Sequence, residues 1–139
     1  MKAIFKIFPE RKLILASFTG TIDYREVLQW FDEVRAHPDF SQKFRGLVDM
    51  RKGVFGAIPG GKTGKMVEKA RALAEYMTKI DFTTTQWAIL ADTPMETSLM
   101  MVFSKGASQK HPIKVFSTVE AAENYLGVPL ESALQELGA

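Results

Sequence analysis

Short apolar runs of strand length alternate along this chain with segments whose apolar residues recur at helical spacing. The strand-like runs cover residues 2–8, 13–18, 46–50, 83–91 and 113–116. Each run after the first is followed by a helical stripe, and a last short stripe covers 130–137. The order ββαβαβαβα predicts an α/β domain with an N-terminal β-hairpin, a mixed five-stranded sheet and helices packed on that sheet.

Crossover helices between successive strands predict that strands two to five are mostly parallel. Right-handed crossovers bring the carboxyl ends of parallel strands to one edge of the sheet, where ligands bind in open α/β folds. Asp49 and Arg51 lie where the third strand ends. Asp49 is expected either to serve a ligand there or to cap the following loop through its backbone amides.

Capping signals place the starts of three helices. A short polar residue followed three positions later by a carboxylate forms a capping box. The pairs are Asp23 with Glu26, Thr93 with Glu96, and Ser117 with Glu120. Gly20 is expected to end the second strand.

The composition predicts one self-sufficient domain over residues 1–139. Of its residues 46% are hydrophobic and 24% are charged, as is usual for a single globular domain. There is no cysteine, which excludes disulfides, a zinc thiolate site and a cysteine nucleophile. The N-terminus has no continuous apolar run of the signal-peptide kind, and no segment is long enough to span a membrane. We therefore expect a cytoplasmic protein without an integral membrane segment.

Charge is unevenly distributed. Nine lysines and arginines lie between Lys43 and Lys79, against three acidic residues, and every charge after Lys114 is acidic. The basic middle third favours a local anion site. Aromatic residues do not alternate with these basic residues, so no nucleic-acid partner is expected.

The segment GAIPGGKT at 56–63 matches the phosphate-loop pattern and lies between a predicted strand and a helix over 64–79. In a nucleotide site Lys62 would reach the phosphates and Thr63 would ligate magnesium. Asp92, at the end of another apolar strand, has the position of a second magnesium carboxylate. The alternative is an ordinary glycine-rich loop over 52–64. Pro59 favours that alternative because it removes one of the amides that a phosphate loop needs.

The remaining chemistry-bearing residues predict no catalytic site. His37 and His111 each precede a proline and have no partner at metal-ligand spacing. No nucleophile elbow or triad spacing is present. We expect no cofactor and no metal.

The helix after Thr93 is apolar around much of its circumference. Met95, Leu99, Val102 and Phe103 form the expected inner stripe, whereas Met100 and Met101 lie off it. Either a second layer covers these two methionines or they face a partner or an apolar ligand. Such a flank also makes a homodimer reasonable.

Three segments of the chain carry a family resemblance. They are GLVDMR at 46–51, TTQWAILADTPMETSLMMVF at 84–103 and IKVFSTVEAAENYLG at 113–127. In this element order they resemble the SpoIIAA-like branch of the STAS superfamily, over nearly the whole chain. The resemblance implies a right-handed βα superhelix with a mixed sheet.

The resemblance also implies a function. Regulatory members of that family, the anti-sigma-factor antagonists, carry a phosphorylated serine in an Asp-Ser pair at the start of the helix after the third strand. Residues 51–65 contain no serine, and Thr63 is their one hydroxyl. A phosphate on Thr63 would be favoured at a helix N-terminus. Other relatives bind lipids or other apolar ligands beside the sheet.

These observations support three hypotheses. The first is a non-enzymatic binding or regulatory module that acts through a protein partner, using the loop after the third strand and the Met-rich helix. The second is a nucleotide-binding protein or small nucleotidase that uses residues 56–63. The third is a carrier of a lipid or another apolar small molecule.

Overall fold

The computed structural model describes residues 1–55, 63–107 and 112–138. Its strands are β1 (Lys2–Phe8), β2 (Leu13–Ile22), β3 (Arg45–Asp49), β4 (Gly53–Phe55), β5 (Trp87–Leu90) and β6 (Ile113–Phe116). Its α-helices are α1 (Tyr24–Ala36), α2 (Thr63–Lys79), α3 (Pro94–Ala107), α4 (Val119–Leu126) and α5 (Glu131–Leu137). None of the helices in these ranges is long and apolar enough to cross a membrane.

The strands form one mixed sheet in the order β1-β2-β3-β5-β6. β1 and β2 pair antiparallel across a short 3-10 turn at Pro9–Arg11, which confirms the predicted hairpin. The neighbours β2–β3, β3–β5 and β5–β6 are parallel, as the crossover helices predict. The carboxyl ends of β2, β3, β5 and β6 therefore lie at the same edge of the sheet.

The sheet has six strands in the described residues rather than the predicted five, because the segment expected to be a loop contains β4. β4 pairs in parallel with the end of β2, in the register Gly20↔Gly53 to Ile22↔Phe55. Gly20 therefore does not end β2; it adopts a φ of 84°, which suits glycine, and the strand continues to Ile22.

β5 is shorter than predicted because the threonines before it form a turn. The Thr85 amide donates to Thr83 Oγ1 at 3.1 Å, and the Thr83 hydroxyl donates to the Gln42 carbonyl at 3.3 Å. Threonine has high strand propensity, but its hydroxyl can also satisfy neighbouring backbone groups in a turn. The strand begins at Trp87, where the backbone joins β3 and β6.

The sheet separates two apolar cores. Ile14, Val48 and Ile89 face the layer formed by α1, α2 and α3. Leu15, Leu47 and Leu90, their neighbours along the strands, face α4 and α5. This alternation shows that the central strands are buried on both faces, as expected for a parallel sheet covered by helices.

The hydrogen bonds at the starts of α1 and α4 confirm one predicted helix cap and correct the other. The Asp23 carboxylate accepts from the amides of Arg25 at 2.8 Å and Glu26 at 3.3 Å, so it is the predicted cap of α1. At α4 the cap is Thr118, whose hydroxyl accepts from the Ala121 amide at 3.2 Å, and not the predicted Ser117. The helix begins one residue later than the capping-box spacing indicated.

The buried face of α3 differs from the predicted stripe. Leu99 and Phe103 are buried as expected, but Met95 is 50% exposed and Val102 is only half-buried. Glu96, Met100 and Ala107 complete the buried face. The face is turned toward Met100 because α3 packs against both α2 and β6, and the pattern of a helix that is apolar on several sides does not fix its rotation.

Candidate functional site

Asp49 and Arg51 form an ion pair at the carboxyl edge of the sheet. Arg51 donates from Nε to Asp49 Oδ1 at 2.9 Å and from Nη2 to Asp49 Oδ2 at 2.7 Å. The Arg51 amide also donates to Asp49 Oδ1 at 3.0 Å. Asp49 is buried, and it caps the loop after β3, which is one of the two roles expected for it; both of its oxygens have partners.

Asp92 lies near this pair but belongs to the exposed turn after β5. The pKa of the Arg51 guanidinium is raised mainly by its hydrogen bond with Asp49 and further by the negative charges of Asp49 and Asp92. The fold thus gathers Asp49, Arg51 and Asp92 at one edge, as the parallel topology predicts. The described residues contain no group of three acidic, histidine or cysteine side chains placed to hold a metal ion.

Most of the predicted phosphate loop lies outside the described residues, because residues 56–62, which include Lys62, are not among them. Thr63 is the first residue of α2, and its side chain is likewise outside the description. The structure shows which elements precede and follow this segment. β4 ends at Phe55 and α2 begins at Thr63, so the glycine-rich segment follows a strand directly.

Met100 and Met101 have opposite environments. Met100 is 4% exposed and contacts the core beneath α3, whereas Met101 is 57% exposed. The predicted partner surface therefore does not include Met100, because a second layer covers it. Met101 stays a candidate for a partner surface, together with Met95 on the outer side of α3.

A cavity of about 50 Å3 lies between the sheet and the layer of α1, α2 and α3. Sixteen described residues line it, and every one of them is apolar. Seven of the sixteen are aromatic, and three are methionines, namely Met50, Met77 and Met100. The unbranched methionine side chain is flexible, so these three can adapt the shape of the cavity to an occupant.

The cavity approaches solvent at one end. Of its lining residues all are buried except Ile22 and Phe55, which are half-buried. These two residues are register partners at the ends of β2 and β4. The open end is thus at the carboxyl edge of the sheet, on the opposite face from the Asp49–Arg51 pair.

Glu96 fixes the strand that forms this open end. Its carboxylate is buried, accepts from the Phe55 amide at 3.2 Å and also accepts from the Thr93 hydroxyl. The predicted capping carboxylate therefore ties β4 to the start of α3. Sequence spacing identified Glu96 but not this role, because its partner Phe55 is 41 residues away in the chain.

Two indoles form part of the cavity wall. Trp30 is 3% exposed and Trp87 is 4% exposed, and their ring centroids are 6.4 Å apart in an edge-to-face arrangement. Neither Nε1 has a hydrogen-bond partner among the described residues. Neither tryptophan was predicted as a site residue from the sequence. The signal was available, because a buried tryptophan usually requires an acceptor for its N–H.

The chain was compared with known proteins. No protein-family model matches it, and no curated protein matches it either.

Proposed function

We propose that this domain is a non-enzymatic binding module that holds a small apolar molecule between its sheet and the layer of α1, α2 and α3. The observation that carries the proposal is the cavity lined by sixteen apolar side chains of the described residues, of which Ile22 and Phe55, together at one end, are half-buried and the rest are buried. An apolar cavity of this kind stays dry, and apolar ligands or xenon can bind in it.

The fold supports the same proposal. The mixed sheet agrees with what the SpoIIAA-like resemblance implies, and we propose that the chain adopts that superhelix. Relatives of that fold bind apolar ligands beside the sheet. The cavity of this chain also lies beside the sheet, against β2, β3 and β5.

The methionines provide the test. Protein labelled with 13C at its methionine methyl groups is equilibrated with xenon at increasing pressure, and the methyl chemical shifts are recorded. We expect saturable shifts at Met50, Met77 and Met100, which line the cavity. Met101, adjacent to Met100 but exposed, is the internal control. Absence of a shift at the three lining methyls, or equal shifts at Met100 and Met101, would rule the proposal out.

A second candidate function is nucleotide binding through residues 56–63. The specific observation in its favour is that β4 directly precedes this segment and α2 begins at Thr63, so a strand and a helix flank it as they flank a phosphate site. A thermal-shift titration with magnesium ATP tests it. Binding at a hundredfold excess over Kd adds about 2.7 kcal/mol to the free energy of unfolding. A shift that Lys62→Ala abolishes supports this function, and no shift in the unaltered protein excludes it for ATP.

A further inference from the structure

We infer that this protein forms a homodimer through β1, whose outer edge pairs antiparallel with β1 of a second copy. β1 lies at one end of the sheet, because β2 is its one strand neighbour within the described residues. The inference concerns a different surface from the cavity, so it does not depend on the proposed function. The surface also differs from the exposed flank of α3, which the sequence suggested for a homodimer.

The hydrogen bonds of β2 show which backbone groups of β1 face outward. The Arg45 amide donates to the Lys12 carbonyl at 3.0 Å, so the even-numbered residues along β2 bond toward β3. The odd-numbered residues of β2 therefore bond toward β1, where their register partners are even-numbered. The amides and carbonyls of Ala3, Phe5 and Ile7 consequently point away from β2. Among the described residues, no turn or loop hydrogen bond uses these groups.

One antiparallel register pairs all of these outward groups. With Phe5 opposite Phe5 of the second copy, Ala3 lies opposite Ile7, and each facing pair exchanges two hydrogen bonds. The dimer then gains about six hydrogen bonds, which use every outward amide and carbonyl of both strands. An axis at Ala3 or Ile7 would leave some of these groups without a partner, because the residues facing them would lie beyond β1.

The edge of β1 lacks several of the features that prevent such pairing. Proteins protect exposed edges with short strands, bulges, prolines and lysines. β1 has seven residues without a proline, and its register with β2 is continuous from Lys2 to Phe8, so it contains no bulge. The strand at the opposite end of the sheet, β6, has only four residues. Of these protective features, β1 has only its lysines.

The lysines of β1 select the register of the dimer. Lys2 and Lys6 are exposed and lie on the same face of the strand. An axis at Ile4 would place Lys2 opposite Lys6, and an axis at Lys6 would place two copies of that lysine together. Like charges in directly opposite positions destabilise a strand pair. The axis at Phe5 instead places Lys6 opposite Ile4 and Lys2 opposite Phe8, so no two lysines face each other.

Two half-buried side chains of β1 gain a partner in this dimer. Ile4 belongs to neither core of the described residues, and the aliphatic part of Lys6 from the second copy would cover it. Phe5, whose ring centroid is 5.9 Å from that of His37, would lie beside Phe5 of the second copy. Such cross-strand pairs stabilise antiparallel strands. A contact along one strand is at the small end of specific interfaces, so we expect a reversible dimer.

Amide hydrogen exchange of the unaltered protein tests the contact. We expect the protection of the Ala3, Phe5 and Ile7 amides to rise with protein concentration, in step with the dimer fraction measured by sedimentation velocity. The amides of Ile4 and Lys6 are the internal controls, since they bond to β2 and should be equally protected at every concentration. Concentration-independent exchange at the three outward amides, or a monomer up to roughly millimolar protein, would contradict the inference.

The charge at position 4 tests the register. Ile4→Lys places a positive charge opposite Lys6 of the second copy and should raise the Kd of the dimer, whereas Ile4→Glu places a negative charge there and should lower it. Each dimer contains two such pairs, so we expect changes of roughly two- to thirtyfold, which become smaller at high salt. Met101→Glu, on the exposed flank of α3, should leave the Kd unchanged. The inference is wrong if both Ile4 variants have the same Kd, or if Met101→Glu dissociates the dimer.

Discussion

Two adjacent methionines on α3 allow the clearest prediction at the scale of single residues. Met100 is 4% exposed, so Met100→Glu places an unpaired carboxylate in the core, and we expect the free energy of unfolding to fall by about 3–5 kcal/mol. Met101 is 57% exposed, and Met101→Glu should change the free energy of unfolding by no more than about 0.5 kcal/mol. Urea unfolding of both variants provides the measurement. Equal losses would mean that the rotation of α3 differs from the one described.

The same pair shows what residue-level patterns can predict. Residue type and spacing correctly identified Asp23 as a cap and Asp49 as the residue that accepts from the loop amides. They wrongly placed Met95 rather than Met100 on the buried face, because both residues are apolar and the choice depends on where α2 and β6 contact α3. Neighbours distant in sequence set the rotation of a helix that is apolar on several sides.

At the scale of elements, α4 offers a matched pair of cap variants. Thr118→Ala removes the hydroxyl that accepts from the Ala121 amide, and we expect a loss of about 1 kcal/mol in unfolding free energy. Ser117→Ala alters the residue that the capping-box spacing indicated, which is exposed and precedes the cap, and should leave stability almost unchanged. Thermal denaturation of both proteins checks this. A larger loss for Ser117→Ala would show that the helix starts one residue earlier.

The contact between α4 and β6 has a predictable pH dependence. Tyr125 donates to the Pro112 carbonyl at 2.8 Å, and partial burial raises the pKa of its phenol. An unfolded tyrosine has a pKa of about 10, so above that pH the unfolded chain loses its proton first. Stability should therefore decrease as the pH rises from 10 toward the folded pKa, and the decrease should be smaller in Tyr125→Phe. Urea midpoints between pH 9 and 11 test this. An identical slope in both proteins would contradict it.

β4 shows why element prediction was incomplete. The three residues Gly53–Phe55 have no alternating pattern of useful length and lie in a glycine-rich segment. They form a strand because Gly53 fits closely beside Ile22 of β2 and because Glu96 accepts from the Phe55 amide. Both interactions are tertiary, so local propensity alone could not reveal them. The five helices, by contrast, were located correctly because each has apolar residues at helical spacing, although the buried face predicted for α3 was wrong.

At the scale of the whole molecule, the sheet separates two apolar cores, and the cavity described above lies in the core under α1, α2 and α3. The layer order followed from the alternation of strands and helices, which made the fold class predictable. The cavity was not predictable, since its volume depends on how sixteen side chains from both layers fit together. The polar residues that a sequence search favours, Asp49 and Arg51, lie on the other face and satisfy one another.

Two neighbouring residues of β5 test this division. Ile89 lines the cavity, and Leu90 faces the core under α4 and α5. Both are buried, so Ile89→Ala and Leu90→Ala should each lower the unfolding free energy by about 2–5 kcal/mol. Only Ile89→Ala adds its lost volume to the existing cavity.

We therefore expect the two variants to differ in ligand size preference while their stabilities are similar. Ile89→Ala should bind benzene, which is known to bind in an apolar cavity of about 150 Å3, more tightly than the unaltered protein does. Leu90→Ala should leave benzene binding at the cavity unchanged, because the sheet lies between the new space and the lining methionines. The shift of the Met77 methyl during a benzene titration reports on the cavity in all three proteins. Tighter binding at Met77 in Leu90→Ala would show that the two cores communicate through the sheet, and that the cavity is not the separate compartment that the structure describes.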